Sequence, residues 1–522
     1  MTPLAGKRER WRAHRWWLLL AVGYLTFSGV YSYLAPCGAW FNEIFGQPAW
    51  AENDPGGYYV ASAHELAWGE APLFVGHPGA TLVPLLLGVQ SMLYAIEAPA
   101  GTSFTRFTAQ NLPQVFLLSK LLMTILHLVS FAALYALSKE LLRDARAAAF
   151  AVLGYATSFA VLYFLSRISV EPLMVTFFAV AFLAVWRYQD RLTEGRLGAA
   201  LGCVALAAIA AVSGAMTKLV FLGPLPFFLL LYILMSSRNE ARRTRTGALC
   251  VFAAVGLAVL LGFSQIIDWG AFSHQWNKIA TGGGLEERGR TVYNFLPGFG
   301  SGQIFLLAEL GFGALAAIGW VRFLLENRGS SSRALWLSVY LGYALLIFVY
   351  RVAREGSFLP FHYIFLTQAV LSVFFGFFTV ELWRRLRIPP SGWRGAIAGL
   401  AWLVLLHGVG AWAVVDTREY DAAAFEDNRS ALALAAQLGP SDRIAIEVAP
   451  GGAPQAMNSL NDLHGIMFPY FWPERRSVLG DEFASLFVPV SRGVIPARKP
   501  RTPAPVLGGD LVVLRPLQGG RR

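Results

Sequence analysis

Long apolar runs separated by short polar tracts fill the sequence from Trp16 to Arg394. Most runs approach the roughly 20 residues that an α-helix needs to cross the hydrocarbon core of a bilayer. Candidate spans lie at residues 16–35, 114–138, 147–166, 169–187, 197–215, 219–236, 247–267, 302–323, 334–351, 359–382 and 395–415. The pattern therefore predicts an all-α polytopic membrane protein with about eleven transmembrane helices within residues 16–415.

Arg and Lys residues mark every second loop of this arrangement. The basic segment 1–15 is taken as cytoplasmic, because cytoplasmic loops carry an excess of Lys and Arg. The inner loops are then Lys139–Arg146, Arg187–Arg196, Arg238–Arg245, Arg322–Arg333 and Arg384–Arg394. The charges predict a multi-pass protein of the inner (plasma) membrane with a cytoplasmic N-terminus.

The first outer loop, residues 36–113, contains one further apolar run, Gly79–Ile96. Counting this run as a span would place the later basic loops outside, against the charge rule. It is instead expected to be a juxtamembrane helix at the outer interface, with Gln90 and Glu97 along it.

Residues 416–522 lack such runs and are expected on the extracytoplasmic side. A polar helix is predicted over Tyr420–Leu438, and strands over Arg443–Val448 and Asp510–Leu514. The segment is therefore interpreted as a small α/β domain.

Composition excludes two classes of protein. With 56% hydrophobic and 14% charged residues and a mean hydropathy of +0.50, the chain is not a soluble domain. The net charge of +11 does not indicate nucleic-acid binding, because the basic residues form short tracts between apolar runs. The three cysteines are too few for a disulfide framework or zinc site and are interpreted as packing residues.

Polar residues collect on the predicted outer side, although ionisable groups at membrane depth are costly. The first outer loop contains Asp54-Pro55, Tyr58 and His77-Pro78-Gly79. Outer helix ends add Arg167, Glu171, Thr217-Lys218, Arg351, Arg354 and His362-Tyr363. Their gathering on one side predicts a functional site there.

The order of these features resembles GT-C fold glycosyltransferases, in particular the protein O-mannosyltransferase and aminoarabinose-transferase-like group. The first outer loop has an acidic residue that opens Asp-x-x-x-Tyr, then a Gly-x-x-Pro turn and His-Pro-Gly. Arg167 and Glu171 follow between the third and fourth spans, and Thr217-Lys218 between the fifth and sixth. The resemblance covers residues 16–240, and beyond them only the hydropathy pattern matches.

The resemblance implies transfer of a sugar from a polyprenyl-phosphate carrier to a lipid, glycan or protein acceptor on the outer face. Asp54 matches the catalytic carboxylate, and Lys218 the cation at the carrier phosphate. It implies further that Glu171 and Arg167 line the site, Glu171 within the catalytic set, and that Arg354 helps to hold the phosphate. The family commonly has an Asp-Glu pair where this chain has Asp54-Pro55, and Glu52 would stand in for the second acid. The pocket residues would be Tyr58, His77, His362 and Tyr363.

Each residue also has a local interpretation. Asp54 can cap a short helix over Gly57–Trp68, and Lys218 can extend to lipid headgroups. Glu171 can favour a helix N-terminus through the dipole, while Arg351 and His362 can be interfacial anchors. No metal ligands are predicted, and whether the activity depends on a divalent metal stays open.

Other functional classes compete with this interpretation. A transporter or lipid flippase is the principal alternative, since many helices and few buried charges also describe carriers, although carriers usually have broken helices at mid-depth. An oligosaccharide-ligase type enzyme needs no acid in its first outer loop, and a membrane anchor needs far fewer spans.

Overall fold

The computed structural model describes residues 56–67, 79–104, 107–108, 111–164, 167–236, 242–267, 269–270, 273, 301–326, 331–355, 364–386, 443–446 and 511–514. The expected spans 16–35 and 395–415 and the expected helix Tyr420–Leu438 lie outside these residues. Helices occur at the nine expected spans between residues 114 and 382. The total of eleven spans stays a prediction.

The described helices form one series along the chain. They are α1 (Gly56–Ala67), α2 (Leu82–Glu97), α3 (Leu112–Leu142), α4 (Ala145–Ala156), α5 (Phe159–Phe164), α6 (Glu171–Thr193), α7 (Leu197–Thr217), α8 (Leu219–Leu222), α9 (Leu225–Ser236), α10 (Arg242–Phe263), α11 (Ser301–Glu326), α12 (Ser331–Glu355) and α13 (Phe365–Arg385).

Five helices within the described part of the chain are long and apolar enough to cross a membrane. They are Leu117–Leu142, Glu171–Thr193, Leu197–Thr217, Arg243–Phe263 and Phe365–Arg385. Only 17% of the apolar window of α10 is buried, so most of its apolar side chains lie on the surface of the described bundle. Cys250 on α10 is exposed and Cys203 partly buried, so the expected packing role fails at Cys250.

Two expected spans are interrupted, and the residues at each break explain why. The span 147–166 divides into α4 and α5 at Thr157-Ser158, where the Thr157 hydroxyl donates to the carbonyl of Leu153 at 2.7 Å. Hydroxyl side chains compete in this way for backbone groups of a helix. The span 219–236 divides into α8 and α9 at Gly223-Pro224, because proline cannot donate to the preceding turn.

The first outer loop contributes a pair of packed helices. α1 spans Gly56–Ala67, one residue from the expected helix, and α2 covers most of the expected run Gly79–Ile96. The position of α2 at the membrane interface stays a prediction. The Gln90 side chain of α2 is buried and donates to the carbonyl of Val60 in α1 at 3.0 Å. The other face of α2 exposes Leu85, Met92 and Ile96.

Aromatic rings fill the core between α6, α9 and α12. The Phe228 ring lies 5.2 Å from Tyr340 and 5.0 Å from Trp336, both in edge-on geometry. Phe182 completes the contact with Tyr340 at 5.9 Å. Edge-to-face pairs at these distances are favourable beyond the area they bury, so they fix the spacing of the three helices.

Charged side chains connect helix ends at the side predicted to be cytoplasmic. Glu140 of α3 lies 3.6 Å from Arg187 of α6 and 3.6 Å from Arg333 of α12. Arg333 also pairs with Asp190. In the first half of α3, Met123 contacts Ser169, which lies just before α6. Because the early parts of both helices meet there and the late parts meet at Glu140 and Arg187, α3 and α6 run parallel. We call the charged group of Glu140, Arg187, Asp190 and Arg333 the Arg333 cluster.

Two short strands lie in the C-terminal segment. β1 (Arg443–Ile446) and β2 (Leu511–Leu514) pair in parallel, with Arg443 opposite Leu511. They lie within the expected strands Arg443–Val448 and Asp510–Leu514, whereas the α/β domain as a whole stays a prediction.

Close packing between α4 and α13 generates a testable prediction. A Cβ at Gly376 would lie 2.2 Å from the carbonyl oxygen of Ala147 and 2.7 Å from the amide nitrogen of Ala151. Gly376→Ala should therefore lower the free energy of unfolding by about 1–3 kcal/mol, the usual range for overpacking. Gly202→Ala on α7 is the control, because a Cβ there meets nothing within 4 Å. Thermal unfolding in detergent measures both, and equal stability of the two variants would contradict the close contact.

Candidate functional site

The chain turns sharply at Lys218, between α7 and α8. The residue has φ −152° and ψ 88°, outside the helical region, and caps α7 by donating its backbone N–H to Gly214. Its carbonyl accepts from the amides of Phe221 at 3.1 Å and Leu222 at 2.9 Å, which begins α8. One residue thus ends one helix and starts the next, and its backbone is fixed on both sides.

Neighbouring helices hold this turn in place. The hydroxyl of Tyr340 on α12 donates to the carbonyl of Phe221 at 2.6 Å, and Tyr343 donates to that of Val220. A Cβ at Gly214 would lie 2.8 Å from a methyl carbon of Leu222, so α7 and α8 approach closely only because that position is glycine. The Lys218 turn is therefore a rigid part of the bundle.

Glu171 is the first residue of α6 and faces this turn. The segment leading into α6 is buried, and the amide of Ser169 contacts the sulfur of Met123 at 3.5 Å. Pro172 occupies the second helical position. Proline suits the start of a helix because the N–H group that it lacks would have no acceptor within the helix at that position. The fold thus presents a carboxylate from α6 to the lysine between α7 and α8.

The Lys218 ammonium donates a hydrogen bond to the Glu171 carboxylate, forming an ion pair across 47 positions of sequence. Only 6% of the lysine side chain and 4% of the glutamate side chain are exposed. Removing one member of a buried pair leaves an uncompensated charge and typically costs about 3–5 kcal/mol. The two groups therefore hold each other in the apolar interior.

The first outer loop docks directly beside this pair. The hydroxyl groups of Thr81 and Thr217 form a hydrogen bond of 2.6 Å, and Thr217 precedes Lys218. The Tyr59 ring packs on Gly79, where an added Cβ would be 2.2 Å from a ring carbon. Contacts thus lead from α1 through residues 79–81 to the Lys218 turn.

The other residues expected at the site divide into three groups. Arg167 is buried, with 5% of its surface exposed, four positions before Glu171. Tyr58 lies in α1 and Arg354 near the end of α12, with side chains outside the described part. The third group lies outside the described residues. It contains the expected catalytic acid Asp54 and the expected pocket residues Glu52, His77, His362 and Tyr363. Glu171 and Lys218 are the expected residues that the described structure brings together.

Sequence inspection missed Lys120 on α3. Its side chain is buried, with 1% exposure, one helical turn before Met123. A lysine within the apolar run 114–138 was a visible signal, because such a charge is costly without a partner. Thr81 was also missed, since no local pattern marks its contact with Thr217. Among the described residues, no three His, Cys, Asp or Glu side chains gather as a metal site.

Comparisons with known proteins show a likeness in structure but not in sequence family. No family model matches the chain, and no curated protein matches it. Among solved structures, the chain is similar to ArnT from Cupriavidus metallidurans bound to undecaprenyl phosphate. The likeness covers 87% of this chain and 88% of that chain, with 13% sequence identity and a TM-score of 0.47.

Burial of the ion pair predicts strong coupling between its members. Lys218→Met should lower the free energy of unfolding by about 3–5 kcal/mol, because Glu171 is left as a buried unpaired charge. The double variant Lys218→Met, Glu171→Met should recover most of this loss, since apolar pairs often replace buried ion pairs without cost. Unfolding in detergent measures both.

The matched control is the exposed pair of Arg191 and Glu194, which are 2.7 Å apart at the end of α6. Arg191→Met should leave stability unchanged, because solvent screens such pairs. Additive losses in the Lys218 and Glu171 variants would show that the two side chains do not depend on each other.

Proposed function

We propose that this chain is a membrane glycosyltransferase that transfers a sugar from a polyprenyl-phosphate donor to an acceptor on the extracytoplasmic face. The observation that carries the proposal is the buried Lys218 and Glu171 pair, with the first outer loop docked on the same turn. A cation and a carboxylate held at a rigid turn are suited to bind a phosphate and to line its pocket.

The donor phosphate binds at Lys218. When the bond between the anomeric carbon and the phosphate oxygen breaks, the leaving phosphate gains negative charge. A preorganised ammonium beside that oxygen stabilises the charge as it develops. Arg167, buried in the segment before Glu171, and Arg354 at the end of α12 supply further cationic groups for the same phosphate.

Asp54 is the general base. Its carboxylate accepts the proton of the acceptor hydroxyl or amine while that nucleophile forms a bond to the anomeric carbon, opposite the departing phosphate, so the configuration inverts. α1 begins at Gly56, directly after Asp54-Pro55, and its Tyr59 packs on the segment that contacts Thr217. These contacts support an Asp54 position near the Lys218 turn.

The remaining assignments follow from the resemblance and complete the pocket. Glu171 belongs to the catalytic set beside Asp54, and Glu52 stands in for the second acid. Tyr58, His77, His362 and Tyr363 line the pocket for sugar and acceptor. The acceptor is a lipid, glycan or protein, and the enzyme lies in the inner membrane with its C-terminal domain outside the cytoplasm.

A specific observation favours a second candidate function, a lipid or solute transporter. The breaks between α4 and α5 and between α8 and α9 interrupt two expected spans, and broken helices are typical of carrier binding sites. The Lys218 site stands immediately before the second break. Transport of labelled polyprenyl lipid across a vesicle membrane, without sugar transfer, would favour this alternative over the transferase.

Asp54→Asn should abolish sugar transfer, a loss of roughly 100-fold or more, because the isosteric change removes only the base. Abundance and membrane insertion should match the wild-type protein. Glu97→Gln is the control, since Glu97 is an exposed acid at the end of α2 in the same outer loop. Transfer of radiolabelled sugar in membranes measures both, and full activity of Asp54→Asn would remove the base assignment.

Lys218→Ala should raise the KM for the lipid donor more than the KM for the acceptor, because in the proposed site the ammonium binds the donor phosphate and not the acceptor. Lys139→Ala, in the last turn of α3 near the Arg333 cluster, is the control and should leave both constants unchanged. Initial rates over a grid of donor and acceptor concentrations separate the two constants. Equal changes in both would argue against a phosphate role.

A further inference from the structure

The hydroxyl of Thr81 contacts a distant helix instead of capping its own. Thr81 stands immediately before α2, where a threonine hydroxyl usually accepts from amides of the first turn, yet it makes no such bond. The amides of Leu82 and Val83 already donate to the carbonyl of Gly79, at 2.8 and 2.9 Å. The next residue, Pro84, has no N–H to donate. The first turn of α2 therefore leaves the Thr81 hydroxyl available for a contact elsewhere.

That contact is with Thr217, and its direction can be assigned. The two hydroxyl oxygens are 2.6 Å apart. A threonine hydroxyl has one proton, and that of Thr217 donates to the carbonyl of Ser213 within α7 at 2.7 Å. Thr81 is therefore the donor and Thr217 the acceptor. Removing the Thr81 hydroxyl removes this bond and leaves the bond within α7 in place.

Apolar packing holds the same segment against the turn. Ala80 packs against a small cluster of buried side chains, formed by Ala215, Met216 and Ile267. Apolar contact is not directional, so it opposes separation of two surfaces more than sliding between them. A hydrogen bond weakens steeply when its geometry changes. The Thr81 bond thus fixes an alignment that packing alone leaves less defined.

A displacement at Thr81 is transmitted to α1. The Tyr59 ring of α1 packs on Gly79, where an added Cβ would be 2.2 Å from a ring carbon. Gln90 of α2 donates to the carbonyl of Val60 in α1 at 3.0 Å, and buried side chains of both helices share one apolar cluster. α1 and α2 are therefore packed as a unit whose position depends on the contact at Thr217.

The turn that receives Thr81 is fixed by other contacts. The backbone of Lys218 is hydrogen-bonded to residues on both sides of it, and Tyr340 and Tyr343 of α12 donate to the carbonyls that follow. None of these bonds involves Thr81. Loss of the Thr81 hydroxyl therefore shifts the outer loop and leaves the turn in place.

We propose that Thr81 is a positioning residue, whose hydrogen bond to Thr217 aligns the first outer loop with the Lys218 turn. The inference rests on the proposed function, in which the turn binds the donor phosphate and the first outer loop supplies the general base. It adds that one hydroxyl aligns these two parts of the chain. Misalignment of reacting groups lowers the rate of a reaction even when each group still binds its ligand.

The first test separates donor binding from transfer in Thr81→Val, which keeps the shape of the side chain and lacks the hydroxyl. The full chain in nanodiscs should bind undecaprenyl phosphate as wild type does. Radiolabelled sugar is supplied as undecaprenyl phosphate mannose, glucose or aminoarabinose, with cell-envelope lipids and glycans as acceptors. The kcat for transfer, per folded protein, should fall about 3- to 10-fold, the range for one neutral hydrogen bond. Thr81→Ser should recover it, because the donor returns.

Thr193→Val is the matched control. The Thr193 hydroxyl is exposed and donates to the carbonyl of Asp190 in its own helix at 2.7 Å, so this variant should bind and transfer as wild type does. Unchanged transfer by Thr81→Val would overturn the positioning role, and so would an equal fall in Thr81→Ser. Lipid binding that weakens in step with transfer would also overturn it, because the turn itself would then be damaged.

A disulfide tests the same alignment without a hydrogen bond. The double variant Thr81→Cys, Thr217→Cys, with the three native cysteines replaced by serine, places two sulfur atoms where the hydroxyl groups meet. Oxidation should join them and raise transfer above that of the reduced protein. Thr193→Cys with Thr217→Cys is the control pair and should not join, because the length of α7, about 30 Å, separates the two positions. Failure of the first pair to join, or loss of transfer when it joins, would overturn the proposal.

The outcomes separate this inference from the proposed function. Transfer by wild type that does not depend on Thr81 would overturn the positioning role and leave the transferase in place. Absence of transfer by wild type from all three donors would overturn the proposed function and the positioning role with it, whether or not the disulfide forms.

Discussion

An ammonium group in the apolar interior of a membrane protein is costly unless other groups satisfy it, and the contacts around Lys218 follow from this constraint. Glu171 supplies the anion from the start of α6, which must then lie against the junction of α7 and α8. Tyr340 and Tyr343 add α12 to the same junction, and Thr81 adds the first outer loop. Four separate parts of the chain thus meet at the Lys218 turn.

The two sides of the helix bundle use charge in different ways. In the Arg333 cluster, Glu140, Arg187 and Asp190 share partners at helix ends, where solvent reaches the side chains. Such networks connect neighbouring helices but tolerate the loss of a member, because screening weakens each contact. The Glu171 and Lys218 pair has almost no solvent, so each member matters to the other. A ligand that changes one of them changes the balance of the site.

The sequence predicted the helices well because apolar length and basic tracts are local signals. The expected spans at 114–138 and 169–187 match α3 and α6. The breaks at Thr157-Ser158 and Gly223-Pro224 were missed, although proline and hydroxyl residues marked them. Hydrophobicity averaged over about 20 residues stays high across one or two polar or proline residues, so these breaks do not show in the average.

The site was predictable only in part, for a physical reason. Glu171 and Lys218 could each be identified as costly charges near predicted helix ends, but their contact joins positions 47 residues apart and depends on tertiary packing. The Thr81 and Thr217 contact, between positions 136 apart, carries no local signal at all. Lys120 was overlooked because a single charge does not alter the hydropathy of the run around it. Asp54 lies outside the described residues, so its role as the catalytic acid stays a prediction from the resemblance.

The length of α3 has a consequence for the depth of the site. Its 31 residues extend about 46 Å at 1.5 Å per residue, well beyond a hydrocarbon core of about 30 Å. The apolar part begins at Leu117, and Met123, which touches the segment before Glu171, lies about 9 Å further along the axis. The segment before Glu171, and with it the buried pair of Glu171 and Lys218, therefore lies beside the apolar part of α3 rather than beside its first residues. Any polar group that enters this level of the bundle loses contact with water on the α3 side.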